Sequence, residues 1–305
     1  MRLFLKRFAI FLCLMAFFAS AVDFLFSRRA QQAARPSIEG WYNLMYGKFD
    51  ADCIIMGSSR AKNHIVPDVL DSVLNTSYYN LGMSGTRIKQ QLAAYDLYRI
   101  RHRKPDTILF CIDVFTLIPS SRIADRSQYF PFFWDRAFRK KLFPIIHPTF
   151  SERFIPLYRY YSGEVTDLLT RYPKNLKKGY FPIDDPWLSP QIDSVPFDID
   201  GHLQAVFEQF LDKAERERTQ LVFILPPLYY EKARRIRDLD RMLGYYTDIG
   251  KKYHIPLLNY YFSDVSRDSS HFADPNHLNE LGAMVFSDTL ARDLKRLRGD
   301  LQPSN

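Results

Sequence analysis

Short apolar runs set far apart constrain this chain more than any other feature. Residues 51–56, 107–112 and 220–225 are nearly unbroken apolar sequence, as strands covered on both faces are. Residues 77–80 and 255–259 read as two further strands. Between them lie stretches with helical spacing, at 65–74, 86–100, 201–218 and 229–253. Pro67 sits in the first turn of its helix, Ile88, Leu92 and Tyr95 share one face of theirs, and Pro226-Pro227 stops a strand. The 229–253 segment reads as a long charged helix, broken or bent near Gly244. A last helix, 279–297, carries Ala283, Phe286, Leu290 and Leu294 at core spacing. Strands joined by helix-length crossovers predict an α/β fold, a three-layer sandwich with a central parallel sheet between helices. Ligands in such sheets bind beyond the carboxyl ends of the strands.

Two strings map to that edge. Gly57-Ser58-Ser59-Arg60 follows the first strand, and Asp274-Pro275-Asn276-His277 follows the last. A serine hydroxyl is a poor nucleophile until a base takes its proton, and the base needs a partner that fixes its tautomer. Asp274 and His277 are three residues apart, so one turn of backbone puts both side chains on the same side. The alternative reading of Ser59 is a serine that only caps a helix. His271, Asp274 and His277 could also be read as a metal cluster, but no second group at ligand spacing supports one, and no metal or cofactor is expected. His64, His102, His147, His202 and His254 stand singly and suggest no role.

These strings resemble the blocks of the SGNH/GDSL hydrolase family. Gly57-Ser58-Ser59-Arg60 matches the first block, which makes Ser59 the nucleophile by position. Asn80-Leu81-Gly82-Met83-Ser84-Gly85-Thr86 looks like the second, with Gly85 at the glycine whose N–H joins that of Ser59 in the oxyanion hole. Asp274 and His277 match the last block. The third block departs: Cys111-Ile112-Asp113-Val114-Phe115 has no asparagine to donate to the oxyanion. Loss of one such donor costs roughly 10²–10³ in rate. The resemblance covers about residues 51–115 and 220–295. Similar departures mark membrane-tethered relatives resembling the D-alanine transfer and alginate O-acetylation proteins.

The N-terminus fits that branch. Met1 to Arg7 is basic, residues 8–22 are almost wholly apolar, and Phe24-Leu25-Phe26 extend the run past Asp23. Residues 1–29 read either as an uncleaved signal anchor or as a signal peptide cut near Ala19-Ser20-Ala21. Both put residues 30–305 outside the cytoplasm, on the plasma membrane or released from it. Half of the +8 formal charge lies in residues 1–29, and no arginine-rich block or zinc-finger spacing appears, so nucleic acid is not an expected partner. Cys53 and Cys111 read as buried core residues.

Residues 119–200 break the alternation. They hold Tyr129-Phe130-Pro131-Phe132-Phe133-Trp134, a basic run and repeated prolines. They read as an inserted cap on the SGNH-like domain, with Trp134 as a candidate for gripping substrate; outside the cap, Arg60 reads either as orienting an anionic substrate or as a member of a surface ion pair.

The resemblance implies a serine esterase or O-acyltransferase that handles acetyl esters of envelope glycan through a covalent acyl-serine, beside a membrane-bound O-acyltransferase. Two alternatives are a catalytically degraded polymer-binding or assembly partner and a membrane-surface lipase.

Overall fold

The computed structural model describes residues 1–33, 35–119, 123–161, 176–184, 187, 192 and 194–301. The chain divides into two compact units: Met1–Tyr42 with Asp125–Lys174, and Asn43–Ala124 with Asn175–Asn305.

The larger unit holds a five-stranded parallel sheet. Its strands are β1 (Cys53–Met56), β2 (Tyr78–Asn80), β3 (Thr107–Cys111), β5 (Gln220–Leu225) and β7 (Leu257–Asn259), in the order β2-β1-β3-β5-β7. Successive residues face opposite sides. Cys53, Ile55, Leu109, Cys111, Val222 and Ile224 pack on one side against Ala61, Leu70, Phe286, Leu290 and Leu294. Phe110 and Phe223 face the other side, where both lie edge-on or tilted against Phe207, with Phe210 beside Phe110. Both cysteines of the sheet are buried. The helices on those two sides include Pro67–Leu74 and Glu280–Leu301 for the first and Gly201–Arg216 for the second.

The long helix expected over 229–253 is two, and the break lies at residues 235–238 and not near Gly244, which sits inside the second. Tyr230–Arg234 and Leu239–Lys252 are separated by a short strand, β6 (Ile236–Arg237), paired in parallel with β4 (Val195–Pro196). Asp238 adopts φ +57° at the start of the second helix. A strand partner 41 residues upstream diverts the chain, and helical spacing within the segment carries no trace of it.

The smaller unit is built on α1 (Arg2–Ala30) and the first part of the insertion. Its core sets Trp41 against Tyr129 and Phe138, with the Trp41 indole N–H donating to Gln128 at 2.9 Å. Residues 119–200 are therefore not one body. Their first part joins α1, while Tyr180 and Phe181 belong to the sheet unit, where the Phe181 N–H donates to Lys62 O at 3.1 Å.

Candidate active site

The first strand leaves the sheet through Gly57, at φ +149°. A β-carbon there would sit 2.8 Å from Cys111 Cβ and 2.9 Å from both Cys111 O and Ala61 Cβ. Only glycine lets β1 turn this closely against the end of β3. Ser58 then takes the cap position of a short helix, α3 (Ser59–His64), so the residue after it keeps its hydroxyl free of that duty.

The acid and base do not sit on a helical turn. They face each other across a hairpin, β8 (Phe272–Asp274) and β9 (His277–Leu278), in register as Asp274 opposite His277. Pro275-Asn276 makes the turn. Asp274 Oδ1 accepts from the N–H groups of Asn276 (2.7 Å) and His277 (3.1 Å), a side-chain-closed turn. Its Oδ2 lies 2.8 Å from His277 Nδ1. His277 Nε2 lies 2.8 Å from Ser59 Oγ. The carboxylate assigns the ring proton to Nδ1, which leaves Nε2 as an acceptor aimed at the serine hydroxyl. Burial works against charge on Asp274. The hydrogen bond and charge of His277 and the two turn N–H groups outweigh it and hold the carboxyl below its ordinary range.

Three buried polar residues fix the segments around the serine and the histidine. Asn80 donates to Ala61 O (2.7 Å) and Ile65 O (2.9 Å) and accepts from the Gly82 N–H (2.9 Å). It thus pins the second-block loop to α3. Leu278, the last residue of β9, donates its N–H to His64 Nε2 at 3.1 Å. Ser287 accepts from the Val66 N–H at 2.8 Å. His64 is fully buried, and burial first, then the charges of His277 and Arg60, push its imidazole well below the usual range. It is a neutral ring held 6.2 Å, centroid to centroid, from that of His277. The sequence reading gave His64 no role. Its one signal was position, five residues after Ser59 on the same short helix.

Gly85 stands at φ +67° in the loop after β2. That loop is tied to the serine turn by Met83 N–H donating to Gly57 O at 3.1 Å. Arg60 lies beneath the turn, 3% exposed, with its guanidinium 2.7 Å from the Asp113 carboxylate. Asp113 also accepts from the Phe115 N–H at 2.7 Å. The third-block segment that lacks asparagine thus carries the counter-ion of Arg60. Trp134 belongs to the smaller unit, where its indole N–H donates to Asp23 at 2.7 Å. A tryptophan that the sequence reading passed over, Trp187, packs 4.9 Å from Tyr229, whose N–H donates to the hairpin-tip carbonyl of Pro275. Among the described residues no group of three His, Cys, Asp or Glu side chains could hold a metal ion.

No protein-family model and no curated protein matches the chain. Among solved structures, the chain is similar to a protein described as lipolytic, of the G-D-S-L family, from Desulfitobacterium hafniense, at 10% identity, with 79% of this chain and 97% of that one covered and a TM-score of 0.43. It is similar to a family two carbohydrate esterase from Clostridium thermocellum, solved with cellohexaose, at 9% identity, 83% and 66% coverage and a TM-score of 0.41. It is also similar to a carbohydrate acetylesterase family member from Sinorhizobium meliloti, at 11% identity, 81% and 98% coverage and a TM-score of 0.37.

Proposed function

We propose that this protein is a serine esterase or O-acyltransferase that works outside the cytoplasm on acetyl esters of cell-envelope glycan. One observation carries the reading: the chain of hydrogen bonds from Ser59 Oγ to His277 Nε2 and from His277 Nδ1 to Asp274, each 2.8 Å long.

In this reading Ser59 Oγ attacks the ester carbonyl as His277 Nε2 takes its proton. Asp274 steadies the imidazolium that forms. Backbone N–H groups of Ser59 and Gly85 receive the oxyanion. Collapse expels the alcohol, which takes the proton back from His277, and leaves an acyl-serine. Water or a sugar hydroxyl then gives its proton to His277 and attacks the acyl carbon, and Ser59 Oγ leaves by taking that proton from His277. Hydrolase and transferase differ only in that acceptor. An acceptor glycan presented by a membrane-bound O-acyltransferase would favour transfer.

The N-terminal helix is long and apolar enough to cross a membrane. Used as an anchor, with the basic residues of its start kept inside, it would hold the catalytic unit at the outer surface.

A fluorophosphonate probe tests the chemistry. It should label the full-length protein and fail to label Ser59→Ala and His277→Ala. Absence of labelling in the wild type, with cellular function retained in His277→Ala, would favour the non-enzymatic binding reading that the missing third-block asparagine suggests.

A further inference from the structure

The apolar surface of α1 is not uniform along its length. From Leu3 to Val22 its large side chains are exposed. From Asp23 one face of the same helix is buried, at Asp23, Ser27 and Ala30, while Phe24 and Leu25 stay exposed. Asp23 forms a buried ion pair with Arg159 at 2.7 Å, and its carboxylate also accepts from the Trp134 indole (2.7 Å) and the Leu157 N–H (2.8 Å). Ser27 receives Arg159 (2.9 Å) and the Tyr160 hydroxyl (2.9 Å). The end of α1 is therefore built into the smaller unit and is not a tether leading up to it.

Depth follows from helix geometry. Crossing the hydrocarbon takes about twenty residues at about 1.5 Å each. Counted from Phe8, just past Lys6 and Arg7, that span ends near Ser27. The insertion grips α1 from Asp23 onward, so the two overlap over the last turn or more of the span. Asp23 would be costly at that depth alone, and Arg159 neutralises it, as intramembrane acids are neutralised elsewhere. Next to this grip the insertion exposes large apolar side chains, with Phe150 73% exposed, Phe154 66% and Tyr161 90%, and Ile155, Leu157 and Tyr158 also exposed, beside one exposed cation, Arg153, suited to a headgroup depth. Trp134, edge-on to Phe24 at 5.6 Å, has the place of an interfacial aromatic.

We propose that the Phe150–Tyr161 surface of the insertion is immersed in the outer interface of the same bilayer that α1 crosses, so that the smaller unit is a membrane-embedded platform. Its occupant is lipid: acyl chains at Phe150 and Phe154, headgroups at the tyrosine hydroxyls. The inference rests on the reading of α1 as a membrane-crossing helix.

The test uses full-length protein reconstituted in phosphatidylcholine vesicles, with Cys13→Ser to remove the exposed native thiol and Cys53 and Cys111 left buried. An environment-sensitive fluorophore is placed singly by Phe154→Cys, Tyr161→Cys, Phe11→Cys or Lys251→Cys. All four positions are exposed, so labelling does not disturb a core, and a thermal melt of each variant confirms it. Expected at 154 and 161 are blue-shifted emission, quenching by a nitroxide high on the lipid acyl chain, and severalfold less quenching by aqueous iodide than at 251. Phe11→Cys should be quenched by a nitroxide deep in the chain. If 11 is quenched by lipid while both 154 and 161 are as open to iodide as 251, the platform is overturned and the crossing helix stands. If 11 is itself open to iodide, the crossing reading fails and the platform falls with it.

Discussion

The backbone N–H of Leu278, one residue past the candidate base, donates to the ring of His64 at 3.1 Å, across 214 residues of sequence. That bond exists only while His64 Nε2 is unprotonated, so a fully buried imidazole sets where His277 sits. The neutral state is favoured by burial and by the adjacent charges of His277 and Arg60.

This makes stability depend on pH in a defined direction. His64 titrates well below its ordinary value of 6.5 when folded and near that value when unfolded. Below about pH 6.5 the unfolded chain binds a proton that the folded chain refuses. The contribution of His64 is thus present above that pH and is lost as the pH falls toward the folded value, at about 1.4 kcal/mol per pH unit. Denaturant unfolding of the full chain from pH 8 to pH 5, read by fluorescence, should show that slope. His64→Gln, which keeps an acceptor for Leu278 N–H, should flatten it and retain most activity at pH 7.5. His64→Ala should lose activity chiefly in kcat.

Asp274→Asn tests the tautomer argument. The amide is close in size to the carboxylate but offers His277 no charge. It can leave the ring proton on Nε2, facing Ser59. In triads of this form the change lowers kcat by about 10⁴. Acetate release from an acetylated glycan, measured beside fluorophosphonate labelling, should fall together with it while KM moves little.

Arg60 and Asp113 form a pair with both side chains almost wholly removed from water. Removing one partner strands the other's charge, at a cost of about 3–5 kcal/mol. Arg60→Met and Asp113→Leu should each lower the unfolding midpoint strongly, and the double variant should recover a large part of the loss. A double-mutant cycle in denaturant measures the coupling.

Gly57→Ala places a methyl group where Cys111 already is, at a backbone angle that costs about 1–3 kcal/mol for other residues. The thermal midpoint should fall by several degrees and fluorophosphonate labelling by more, since the displaced element carries Ser59. A second change, Cys111→Ala, would leave Cys111 Cβ in place and should not rescue it.

Several features of the site lay open in the chain because they are local. Three buried strands were legible as apolar runs and two shorter ones from their place between helices, the Gly57 turn as a glycine after the first of them, and the order of Ser59, Asp274 and His277 as motif spacing. Other features were not, because their causes lie elsewhere in the chain. Asp274-Pro275-Asn276-His277 suits a helical turn as well as a hairpin, and it becomes a hairpin where Phe272 and Leu278 enter the core together. Ile236–Arg237 leaves a helical pattern because Val195–Pro196 is there to pair with it. Arg60, an ordinary surface cation by composition, is buried because Asp113 waits at the end of β3.

The sequence by itself determined the strands of the central sheet and the helices that flank it, and which residue types were available for acyl chemistry, since those depend on neighbours along the chain. Only the tertiary structure decided that Ser59 and His277 touch, that His64 is held neutral behind them, and that α1 ends inside a folded unit. Each of those depends on burial and on charges brought together from distant positions, and such energies arise only once the chain has closed on itself.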